Sequence, residues 1–172
     1  MKAVVVVLAL AAALLVQSVL AGLFVGATVA VNLVLVAVVY VALLYGALTG
    51  VLAGTVGGIV QDALGGGIVG IGGLTKTLIG FVVGVLSAQF NLSSTVPRLV
   101  MFAAATFVHE VVFRGLQAIA VGRPFALKGS ALLVQALANS LVGVAAFLLV
   151  EQGPGAIQRR QMRRASLAKR RF

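Results

Sequence analysis

An almost unbroken apolar stretch runs from Lys2 to Glu151, and few folds can hold it. Of the 172 residues, 62% are hydrophobic and 9% are charged, and the mean hydropathy is +1.20. Soluble domains carry roughly 45–50% apolar and about 25% charged residues, so a soluble fold of this length lacks the polar surface to cover itself. In a bilayer, lipid takes the place of that surface. A spanning helix needs about 20 apolar residues, which leaves room for about six or seven closely joined helices and no extramembrane domain. The expected fold is all-α: a polytopic transmembrane bundle of about six helices over residues 1–152, then a basic cytoplasmic tail over 153–172. The segment from Lys2 to Ala21 is expected to be a retained first span and not a cleaved signal peptide. It has one positive residue, Gln17 interrupts its apolar run, and the apolar pattern resumes soon after it.

The formal net charge of +10 is not spread over the chain. Arg159, Arg160, Arg163, Arg164, Lys169, Arg170 and Arg171 all belong to the tail. Nucleic-acid binding calls for a basic folded face with groups that read the bases. A juxtamembrane cluster instead implies attraction to anionic membrane lipid and a cytoplasmic position, with no nucleic acid. The absence of cysteine excludes disulfides, thiolate chemistry and cysteine metal sites.

The pattern predicts helices over about Val4–Leu20, from Asn32 to Tyr45, Gly46–Asp62, Leu74–Gln89, Arg98–Val121 and Ser130–Val150, with Pro154 ending the last. The stretch from Gly22 to Val31 reads either as a re-entrant piece or as the lead into the second helix. Tyr40 and Tyr45 are expected near one interface. Six spans put both termini on one side, and the lysine and arginine bias puts that side in the cytoplasm.

Gly46, Gly50, Gly54 and Gly58 recur at every fourth position of the third helix. Lipid gives helices no reason to associate, so close packing through small residues does much of that work. Gly80 and Gly84 offer a matching face on the fourth helix. Between the two helices Gly65, Gly66 and Gly67, then Gly70, Gly72 and Gly73, predict a tight turn.

Charges inside a membrane are costly and mark candidate sites. Asp62 and Lys76 flank the glycine turn and are expected to pair across it, with Gln61 and Thr77 in the same network; the pair either fixes the hairpin or faces a partner. Glu110 and Arg114 have the favourable i, i+4 order on one helix face, with His109 expected to point elsewhere. A lone histidine with no cysteine is a poor metal signal, and no Ser-His-Asp set can be argued from spacing. A structural or partner-facing polar patch is the expectation, with no metal, no cofactor and no catalytic residue. The glycine-rich segment ending in Lys76-Thr77 is not a phosphate-binding loop, because Thr75 stands where that pattern requires glycine.

Gln61-Asp62, the following Gly65 and Gly66, then Gly70, Gly73-Leu74, Lys76-Thr77 and Gly80-Phe81 resemble the central signature of MreD, the bacterial rod-shape-determining membrane protein. The likeness in size and in nearly loopless architecture extends over almost the whole chain. Gly65 departs from the serine-like residue usual beside these glycines. The resemblance implies a non-enzymatic, multi-pass protein of the bacterial inner membrane that binds MreC. It also implies membership, with RodA, a class B penicillin-binding transpeptidase and MreB, of the elongation complex that inserts peptidoglycan and sets rod cell shape. It further implies the six-helix fold of the substrate-binding components of energy-coupling-factor vitamin transporters, and a structural or partner-facing role for Asp62 and Lys76. A vitamin-like substrate-binding component of a transporter is the alternative function. The absence of tryptophan and the scarcity of tyrosine weigh against it. A membrane enzyme is disfavoured by the scarcity of acids, which are Asp62, Glu110 and Glu151 alone.

Overall fold

The computed structural model describes residues 2–23, 31–90, 94–122, 124–125 and 127–169, with residues 2 and 151–169 as backbone only. The ambiguous stretch after Gly22 therefore lies largely outside the described residues. Six helices appear among those described: α1 (Lys2–Leu23), α2 (Leu33–Tyr45), α3 (Ala47–Gly65), α4 (Ile71–Gln89), α5 (Thr95–Val121) and α6 (Gly129–Lys169). Five of them are long and apolar enough to cross a membrane, and α2 is the exception. The chain is a multi-pass membrane protein by these criteria.

Helix α2 is apolar on every side, as a helix enclosed by others must be. Val34, Leu35, Val36, Val38, Val39, Val41 and Ala42 are all buried, and α2 touches α1, α3, α4, α5 and α6. Its 13 residues make it about 20 Å long. The start expected at Asn32 is where the helix begins: the Asn32 side chain accepts from the Leu35 amide at 3.1 Å as its N-cap. On one flank of α2 the core gathers Ile79, Val83, Phe102 and Phe147; on another Val6, Leu10 and Ala53 pack against it. Large apolar side chains such as Leu15, Leu48, Ile119 and Leu149 point outward, where lipid would meet them.

Tyr40 is half-buried, and its ring packs on Phe147 of α6 with centroids 4.4 Å apart. Helix α4 starts at Ile71 and not at Leu74, so Gly72 and Gly73 are helical; their amides are capped from outside, as described below. Pro97 falls in the first turn of α5, where a missing N–H costs nothing. Pro154 does not end α6, which runs to Lys169. A proline removes one hydrogen bond from a helix and can be carried as an interruption within it.

The α3–α4 hairpin is closed backbone to backbone. A Cβ built on Gly50 would land on the Gly80 carbonyl and 2.8 Å from the Ala42 Cβ. On Gly58 it would stand 2.5 Å from the Gly73 Cα, and on Gly84 2.7 Å from the Gly46 carbonyl carbon. Gly46 has a different role from the rest of the stripe. It has φ +83° and open space around its own Cβ position, and it makes the one-residue break between α2 and α3.

Candidate functional site

The polar groups of the bundle converge where α2 begins. The first free amides of α2 lack partners within the helix, and side chains from other helices supply them. The Asn32 amide donates to Asn139 Oδ1 of α6 at 2.9 Å, and the Leu33 amide donates to Gln17 Oε1 of α1 at 2.8 Å. Gln17 Nε2 returns a bond to the Val31 carbonyl at 3.1 Å. Asn139 Nδ2 donates in turn to Thr106 Oγ1 of α5 at 3.1 Å, and Gln61 Nε2 of α3 reaches Asn32 Oδ1 at 3.5 Å. Asn139 and Thr106 are fully buried. Neither they nor Gln17 stood out in the sequence as site residues, although each is a polar break in an apolar run.

Beside this node the hairpin turn is organised by Asp62. The capping position of α4 is Gly70, at φ +107°, which has no side chain to offer. Asp62 reaches over from the end of α3 instead. Its Oδ2 accepts from the amides of Gly70, Gly72 and Gly73 at 2.9, 2.8 and 3.2 Å, a charge-assisted cap at the positive end of a helix. The expected Asp62–Lys76 pair is thus replaced by a carboxylate bound to backbone, and no ion pair joins Lys76 to a described acid. Gln61 and Thr77 do not share one network with that pair. Thr77 Oγ1 bonds the Gly73 carbonyl and meets Thr55 Oγ1 at 2.7 Å across the hairpin.

Glu110 and Arg114 form the expected ion pair on α5, through Nε and Oε1. His109 does not point away from them: it lines the same cleft as Glu110. It is 2% exposed, its ring stacks on Phe113 at 5.6 Å, and neither ring nitrogen has a hydrogen-bond partner. Lys76 is also 2% exposed.

A half-open cleft of about 300 Å³ gathers these groups, lined by Asn32, Gln61, Asp62, Lys76, His109, Glu110, Phe113 and Gln135, with Gly65 and Gly67 at its rim. Among the described residues no three histidine, aspartate or glutamate side chains form a group that could hold a metal ion. The side chains of Arg159, Arg160, Arg163 and Arg164 lie outside the described residues. No protein-family model, no curated protein and no solved structure matches the chain.

Proposed function

We propose that this chain is a non-enzymatic membrane subunit of the bacterial cell-wall elongation complex, similar to MreD. In this reading it binds MreC in the inner membrane alongside RodA, the class B transpeptidase and MreB. It supports peptidoglycan insertion and rod shape, with both termini in the cytoplasm, so that the polar cleft opens on the periplasmic side. The observation that carries the reading is the hairpin. The residues bearing the resemblance, from Gln61-Asp62 to Gly80, assemble into one closed unit: Asp62 holds the amides of α4 and glycines seal the two helices. A signature built for rigidity suits a scaffold. The two acids of the cleft are engaged, Asp62 by amides and Glu110 by Arg114, which favours a binding or structural role over proton chemistry.

The test is extraction of the full chain in native lipid, followed by identification of what travels with it. A single-span MreC-like chain supports the proposal. Recovery of a vitamin-like ligand with no elongation partner overturns it in favour of the second reading, a substrate-binding component of a transporter. One observation favours that alternative, the polar cleft itself.

A further inference from the structure

The cleft contains more polar capacity than the protein satisfies. Asp62 Oδ2 is occupied by three amides at the N-terminus of α4, and Glu110 by Arg114. Lys76 lines the cleft with Asp62, Glu110 and His109 but makes no hydrogen bond or ion pair among the described residues. Beside it stand both nitrogens of His109 and Oε1 of Gln61, buried and without partners. Leaving a buried polar group without a partner is costly, and leaving a charge without one more so. So many in one cleft mark a place made for something else. Both carboxylates thus have bonding partners, and the Lys76 ammonium is the charged group of the cleft without one. An oxyanion is the guest that supplies the partner it lacks.

We propose that the cleft at the start of α2 is an oxyanion-binding site, in which Lys76, with His109 and Gln61 beside it, takes one phosphate or carboxylate group. The ammonium provides charge and donors. The His109 ring offers its two unpartnered nitrogens, and Gln61 Oε1 accepts a bond from a hydroxyl or amide attached to the anion. Phe113 lines the same cleft as an apolar wall. At about 300 Å³ the cleft is at the lower end of ligand sites and suits a small acid or a lipid headgroup. The site requires neither reading of the assembly, since a scaffold subunit and a transport component can both carry it, and its test is separate from co-purification.

The chain has a single histidine, so isotope-labelled histidine places one imidazole in a nitrogen spectrum. The full chain is reconstituted in phosphatidylcholine nanodiscs and titrated with sodium phosphate or sodium acetate, or the discs are made with added phosphatidylglycerol. Saturable movement of the ring resonances is expected with at least one probe, kept in Lys76→Arg and weakened by about tenfold or more in Lys76→Met, as loss of one charge-assisted bond requires. If Lys76→Met fails to accumulate, Lys76→Gln replaces it. Response to phosphatidylglycerol alone assigns the site to a headgroup, and response to phosphate or acetate alone to a free anion. A silent wild-type spectrum with all three probes, or an equal response without the lysine charge, overturns the proposal.

Discussion

The backbone of Lys76 rests directly on Gly54: a Cβ there would stand 2.5 Å from the Lys76 carbonyl carbon and 2.7 Å from the Thr77 nitrogen. No side chain separates α3 from the strip of α4 that delivers the ammonium to the cleft. The packing face and the candidate site are therefore one mechanical unit.

Gly54→Ala and Gly50→Ala should both destabilise the protein. Alanine would improve an isolated helix by about 1 kcal/mol, but here the new methyl meets backbone, which cannot move aside as a side chain can. A net loss of about 1–3 kcal/mol is expected. Gly115 in α5 has nothing within 4 Å of its Cβ position, so Gly115→Ala should be neutral or slightly stabilising. Thermal unfolding in detergent ranks the three. A tolerated Gly54→Ala would place α3 and α4 further apart than described. Because the stripe meets α4, the expected defect is in folded yield and not in partner capture alone.

Asp62→Ala should cost about 1–3 kcal/mol by leaving amides of Gly70, Gly72 and Gly73 without their acceptor. Asp62→Asn retains one oxygen and should cost less. The loss from Asp62→Ala should persist in a Lys76→Gln background, since the carboxylate serves the backbone. If that loss vanished once the lysine was gone, an ion pair would be the better account.

Gln17→Leu makes α1 more apolar yet should loosen it, because Gln17 bonds both Val31 and Leu33 at the start of α2. Interhelical hydrogen bonds in membranes contribute about 0.6–2 kcal/mol. Insertion should be unchanged while cross-linking between cysteines placed on α1 and α3 declines. Asn139→Leu, at a fully buried position joining α2, α5 and α6, should be worse than Gln17→Leu in folded yield.

Replacing Arg159, Arg160, Arg163 and Arg164 by glutamate should disturb orientation more than replacing them by lysine, because cytoplasmic retention depends on positive charge. A topology reporter fused to the C-terminus reads the difference. Equal behaviour of the two variants would remove the tail from any role in orientation.

What could be read beforehand was the part governed by composition and short-range spacing. Apolar run length gave the helices to within a few residues, except that α6 continues past Pro154 to Lys169, and four-residue glycine spacing singled out the face that meets α4. Asn32 was readable as a cap because a lone polar residue preceded an apolar run. Long-range pairings were not readable. Asp62 and Lys76 lie near each other in sequence and carry opposite charges, but the amides of a helix beginning at glycine compete for the same carboxylate and hold it. Gln17 looked like a blemish in the first span, since its partner Leu33 is known only once the helices are packed. Adjacent positions on a helix face different ways, yet His109 and Glu110 both border the cleft, because it is wide enough to meet two faces of α5.

The short central helix bears on how deep in a membrane the cleft would lie. A bilayer's hydrocarbon core is about 30 Å thick, whereas α2 extends about 20 Å. At one end α2 joins α3 directly through Gly46, so the shortfall lies at the other end, where Asn32 meets Gln61 inside the span of α3. The helical part of α2 thus covers about two-thirds of that thickness. If the cleft at its start lies below the membrane surface, an ion resting there would stand partway into a membrane potential.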